Sequence, residues 1–215
     1  MKKFGFIIAA LALSLCANAQ DQKTANQYEN EGNEFVQAKK FQQALESYEQ
    51  AYAIKGDSLN PKTIFNAGLC AQKTKNLDKA ITYFAKTETL GYKPDESAYR
   101  IAQSLRAQSK TDEYVSQLQT SLEKYTSGKF NTLMKKDLAK YYRDQSLSLF
   151  NEGADVTKKF AANASNESKL NELKEEAKAK FNEALPLAEK ALEINPDDMG
   201  AKQIKEGVAK QLESL

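Results

Sequence analysis

One register of small and apolar residues recurs along this chain and constrains its fold more than any other feature. Gly32, Gly68 and Ala102 stand 36 and 34 residues apart. With the same two offsets Ala44 falls on Ala80 and Tyr114, Tyr48 on Phe84 and Leu118, Ala51 on Thr87 and Ser121, and Phe41 on Leu77 and Thr111. A period of this length marks a small supersecondary unit, repeated because each copy needs its neighbours to cover its apolar face. Inside each copy the columns are spaced by three and four, the spacing of one helix face. The unit is therefore predicted to be a pair of helices. Gly or Ala in the first lets the second approach closely, and the large residue of the second fills the space beside the crossing.

These residues resemble the tetratricopeptide repeat (TPR), whose signature places a large, a small and an aromatic residue in one helix and Ala, an aromatic and Ala in the next, with Pro at the end. The first copy reads Tyr28, Gly32, Phe35, Ala44, Tyr48 and Ala51. The second reads Ile64, Gly68, Ala71, Ala80, Phe84 and Thr87 and closes near Pro94; the third has Ala102, Leu105, Tyr114, Leu118 and Ser121. The resemblance implies an all-α, right-handed superhelix of helical hairpins. Asn60-Pro61 and Asn195-Pro196 look like N-caps followed by proline in the first helical turn.

A fourth copy is split. Its second helix is marked by Phe181, Ala184, Ala188, Ala191 and Pro196, with Ala188 in the place of the aromatic, and its first by Tyr142, Ser146, Leu149 and Gly153. In this register 26 residues are inserted at the hairpin tip. Val156 with Phe160, and Leu170, Leu173, Ala177 and Phe181, are helical stripes within the insertion, with a turn at 163–166. Pro186 is expected to kink the second helix. The stripe Ala201, Ile204, Val208 and Leu212 suits a terminal helix that caps the array. The expected organisation is a signal peptide at 1–19 and three hairpins over 20–126. An extended fourth hairpin follows over 127–196, with its helical insertion at 154–180, and then a capping helix over 197–215.

The first nineteen residues read as an export signal: Lys2 and Lys3, the apolar run from Phe4 to Leu15, and the small-x-small site Ala17-Asn18-Ala19. The run is shorter than the roughly 20 residues that span a bilayer. Cys16 offers an alternative, a lipid anchor on an outer-membrane complex, although the bulky Leu15 before it disfavours lipidation. Cleavage after Ala19 turns a net charge of +2 (31 basic, 29 acidic) into 29 against 29. A neutral chain has no basic field to attract nucleic acid or anionic lipid. Cys70 is then the only cysteine, so no intrachain disulfide forms. It reads as a small packing residue, or as a redox thiol if exposed.

The residues that carry chemistry are scarce. With no histidine the chain lacks the commonest general base and the commonest transition-metal ligand. No Gly-rich phosphate loop or nucleophile elbow occurs. Glu175-Glu176 sits among lysines on a solvated face, and Asp197-Asp198 lies at a helix start, where negative charge suits the dipole. No catalysis, cofactor or metal is expected.

In TPR proteins the first helix of each hairpin lines a concave face that takes a peptide or helix from a partner. Carried onto this chain, those positions are Glu29, Asn33, Val36, Phe65, Asn66, Leu69, Tyr99, Arg100, Gln103 and Arg106. Phe65 and Tyr99 hold equivalent places; they form either a binding strip or packing between hairpins. A TPR subfamily grips a free carboxylate with two Lys, two Asn and an Arg. Asn33, Asn66 and Arg100 match it, but Glu29 and Glu96 stand where its lysines should, which would repel a carboxylate. Taken with the export signal and the scarcity of catalytic residues, the resemblance implies a periplasmic scaffold or adaptor in an envelope assembly, with a second candidate contact along the 154–180 arm.

Overall fold

The computed structural model describes residues 23–215; the export signal and Cys16 lie outside the described residues. Among these residues there are nine α-helices and no strand. Four antiparallel pairs are followed by a single helix: α1 (Ala25–Gln37) with α2 (Phe41–Lys55), α3 (Pro61–Lys73) with α4 (Leu77–Thr89), α5 (Pro94–Ala107) with α6 (Thr111–Lys124), α7 (Lys129–Thr157) with α8 (Glu167–Ile194), then α9 (Met199–Ser214). The chain divides into two compact units, one ending at Tyr92 and the other running Lys93–Leu215. None of the described helices is long and apolar enough to cross a membrane.

The first three hairpins turn in the same way. Lys39, Lys75 and Ser109 hold one repeat position and all have left-handed backbone, with φ of 58°, 62° and 60°. The next amide then reaches back over the helix end: Lys40 N–H donates to the Phe35 carbonyl at 2.8 Å, Asn76 to Ala71 at 2.9 Å and Lys110 to Leu105 at 3.1 Å. This is the Schellman closure, which satisfies carbonyls that the helix leaves without donors. Phe41, Leu77 and Thr111 each begin the second helix one residue later. Asn60 caps α3 as the sequence predicts, its side chain accepting from Lys62 N–H at 3.0 Å, with Pro61 in the first turn.

Each hairpin is closed by one steric pair. A Cβ built on Gly32 would lie 2.4 Å from the Tyr48 ring, and one on Gly68 2.8 Å from the Phe84 ring. Only glycine leaves the ring room to sit against the first helix. The third hairpin holds Ala102 and Leu118, both fully buried; a methyl added on one side is matched by a smaller side chain on the other.

The fourth hairpin carries a further glycine–aromatic pair. A Cβ on Gly153 would meet Phe181 at 2.7 Å; this pair lies seven residues along each helix from Ser146 and Ala188, the expected crossing, and belongs to the same antiparallel pairing. Sixteen residues separate Gly32 from Tyr48 and Gly68 from Phe84, whereas 28 separate Gly153 from Phe181. Counted from this pair the tip is longer by 12 residues; counted from Ser146 and Ala188, 42 apart, it is longer by 26. Phe160 is not helical. It lies in the turn after α7, ahead of a short 3-10 turn at Ala161–Asn163, and packs on the core of Val156, Leu173, Ala177 and Phe181. Pro186 leaves α8 unbroken. The carbonyl it deprives of a donor belongs to Asn182, an exposed residue that water can serve. Ser146 Oγ ties the two long helices by donating to the Ala184 carbonyl at 2.7 Å.

The start of α9 differs from expectation too. Asn195 ends α8 and Pro196 precedes the next helix. The N-cap is Asp198, which accepts from Ala201 N–H at 3.1 Å and takes both its oxygens to Arg143 of α7, at 3.2 and 3.1 Å. Ala201, Ile204 and Val208 are buried against α8 and α7, while Gln203, Glu206, Lys210 and Glu213 face solvent.

Candidate interaction surface

The positions expected to face a partner separate into two groups. Phe65 and Tyr99 are packing residues, 2% and 8% exposed. Phe65 stands edge-on to Phe84 (5.4 Å between centroids) and Tyr92 (5.7 Å). Tyr99 lies against Phe130 at 5.9 Å and donates its hydroxyl to Asp137 Oδ2 at 3.1 Å. Of the two readings left open for these rings, packing is the one their burial supports. The rings that cover them, Tyr92 and Phe130, sit outside the repeat signature, so nothing in the columns announced them.

In the first unit, polar side chains at these positions are bound up in the fold. Asn33 is exposed, but its Oδ1 accepts from the Tyr48 hydroxyl at 2.8 Å. Asn66 also hydrogen-bonds that hydroxyl; burial, above all, pushes the phenol up to about 12. Glu29 accepts from Thr63 Oγ1 at 2.7 Å and from Lys55 Nζ at 3.4 Å, joining three helices. Val36 and Leu69 are half-buried. Cys70 is 2% exposed, and burial pushes its thiol up to about 11, which removes the exposed, low-pKa thiol that a redox role needs.

In the second unit, Arg100 is forked onto Glu96, with Nε at 3.0 Å and Nη2 at 2.8 Å from Oε1, and Lys93 adds a contact at 3.1 Å. Burial resists the charge on Glu96, but these cations hold its carboxyl below the usual range. Gln103 is half-buried and hydrogen-bonds the Tyr99 hydroxyl. Arg106 is different. Its side chain is 53% exposed, stacks over the Tyr114 ring at 5.6 Å and touches Asp137 at only 3.4 Å.

Arg106 opens onto a cleft of about 220 Å³ whose other walls are Thr111, Tyr114, Asp137, Lys140, Tyr141 and Asp144. Four of these seven residues come from the middle of α7, which the split register did not connect with the groove. Farther along α7 lies a second groove of about 290 Å³, walled by Arg143, Leu147, Phe150, Gly200, Gln203 and Ile204. Gly200 and Gly207 let α9 come close here: their Cβ positions would lie 2.7 Å from Arg143 Cδ and 3.2 Å from the Phe150 ring. Asp144 takes Lys140 and Arg143 together; burial resists its charge, and these hydrogen bonds still hold its carboxyl low. It is therefore a carboxylate at neutral pH, unsuited to donate a proton. Among the described residues no group of three or more Cys, Asp or Glu side chains is placed to hold a metal.

No family model matches the sequence, and no curated protein is similar to it. Solved structures are similar in fold. A TPR-repeat protein from Bacteroides fragilis superposes with a TM-score of 0.58 at 22% identity, over 86% of this chain and 98% of that one. A candidate protein-binding protein from Bacteroides ovatus gives 0.51 at 11% identity, over 89% and 99%. With the Gly–aromatic pair recurring in three hairpins, these likenesses establish the fold: helical hairpins of the tetratricopeptide-repeat kind.

Proposed function

We propose that this chain is an exported, non-catalytic interaction module that holds partner proteins as a scaffold or adaptor in a cell-envelope assembly. What supports this is a division of labour within each hairpin. Small and aromatic residues are spent on the seams, and the polar side chains that remain line shallow clefts. There they meet charged partners. One of the two similar structures, from Bacteroides ovatus, is itself described as a candidate protein-binding protein. Chemical crosslinking of the chain in intact cells, followed by identification of what is captured, tests the reading. Reproducible partners are expected, and a chain that captures none counts against it.

The periplasmic location rests on the amino-terminal Lys2-Lys3, apolar run and Ala17-Asn18-Ala19 pattern. Fractionation should find the chain soluble and shortened to begin at Gln20. If Cys16 is lipidated instead, the chain sediments with membranes and Cys16→Ala releases it.

A further inference from the structure

We infer that the exposed stripe of α7 in the second unit docks an extended segment of a partner protein that is acidic at one end and apolar at the other. This deepens the interaction role proposed above and rests on it. Lys136, Lys140, Arg143 and Leu147 are spaced four, three and four apart, so they run along one face of α7. The stripe changes character along its length.

At its amino-terminal end the charge is positive. Lys136 is exposed and has no ion-pair partner among the described residues. Lys140, 57% exposed, and Arg106, 53% exposed, stand in the adjoining cleft. Asp137 and Asp144 offset two of these three cations, and Asp144 is shared with Arg143. The one ion pair of Arg106 among the described residues is a long 3.4 Å contact, so an incoming carboxylate can compete for it. The cleft also offers the Tyr141 hydroxyl, which has no hydrogen-bond partner among the described residues.

At the other end the stripe is apolar and electrically compensated. Arg143 spends its charge on Asp198 and Asp144, leaving its aliphatic stem over Gly200. Beside it Leu147 is 42% exposed, and Phe150 and Ile204 help wall the groove. Met199, next to Gly200, is 63% exposed. Leu147, one of the four large apolar side chains exposed among the described residues, lines this groove. An occupant carrying charge there would lose hydration without gaining a counter-ion, whereas an apolar side chain loses nothing. Charge complementarity therefore sets the direction of the occupant: carboxylates toward Lys136 and Arg106, an apolar anchor on Leu147. The 15 residues from Lys136 to Phe150 span about 21 Å of helix, the length of about six or seven residues of extended chain.

The test uses the mature full chain and a fluorescent synthetic peptide of about eight residues, with an Asp/Glu half followed by a Leu/Phe half, read by anisotropy. Two control peptides carry Lys in place of the acids, or Ser in place of the apolar residues. The acidic–apolar probe is expected to bind, with each control about ten-fold weaker or worse. Leu147→Asp should weaken the probe by about ten-fold and Lys136→Glu by about three-fold. Lys210→Glu, on the solvent face of α9, should leave it unchanged. All three positions are exposed, and circular dichroism checks that the variants fold. Equal affinity for probe and controls overturns the proposal, as does wild-type affinity in Leu147→Asp or an equal loss in Lys210→Glu. In cells the two readings part company. Partners still captured by Leu147→Asp leave the scaffold role standing and remove this stripe from it. A wild-type chain that captures nothing removes the role itself.

Discussion

Gly68 faces a phenyl ring where its own side chain would stand. Gly68→Ala is expected to cost about 1–3 kcal/mol, because the added methyl must displace Phe84 from a fully packed seam. Urea unfolding measures the loss. Phe84→Leu should return part of it, since Ala with Leu is the pairing the third hairpin already uses at Ala102 and Leu118. A double variant no more stable than Gly68→Ala would show that the two sites do not share one volume. Cys70 makes a second residue-scale prediction. With its thiol pushed up to about 11 by burial, it should react with a thiol reagent at pH 8 only after denaturant is added. The small and aromatic columns were legible because they answer to a steric rule that each repeat obeys by itself. Phe65 and Tyr99 were not, because their burial depends on Tyr92 and Phe130, rings whose positions follow from the turn at Gly91 and the path into α7.

At the scale of the element, the hairpin turns are strained and the helix ends are held by charge. Lys39, Lys75 and Ser109 adopt a backbone that glycine takes without strain. Replacing each by Gly should stabilise the chain by about 0.5–1 kcal/mol, read as an upward shift in the melting temperature. Glu96, at the start of α5, makes stability pH-dependent. Its folded carboxyl lies below the ordinary value of 4.5, so its contribution is present above about pH 4.5 and is lost as pH falls through the depressed value. Melts recorded from about pH 5 to pH 3 should therefore decline less steeply in Glu96→Gln. Asp198→Ala removes the cap of α9 and the partner of Arg143 together, and a loss of about 2 kcal/mol is expected in the same melts. The existence and type of the helices could be read from spacing alone. The Gly153–Phe181 pair of the last hairpin could not: Ala177, Ala184, Ala188 and Ala191 offer the same three- and four-residue steps in more than one frame. Asn195 and Asp198 are both competent caps, and the hydrogen bond to Arg143, distant in sequence, decides for Asp198.

Across the whole molecule, short-range packing should make stability local. In arrays of this kind each hairpin is supported chiefly by its neighbours, and the chain divides near Tyr92. Gly68→Ala should accordingly speed amide hydrogen exchange in α1–α4 far more than in α7–α9. Uniform acceleration throughout would mean a single cooperative unit instead. Much of the architecture was open to sequence reading because it is repetitive, whereas the clefts beside α7 were not. They join residues such as Arg106 and Tyr141, or Phe150 and Gly200, that no repeat column relates. The solvent face of α9 has a further consequence. Glu206, Lys210 and Glu213 set charge where a second molecule would have to continue the stack on this face. Head-to-tail growth into filaments, the hazard of any protein whose two ends are complementary, is disfavoured on this face of α9, and the chain should stay dispersed at concentrations where an array with an apolar face there would polymerise.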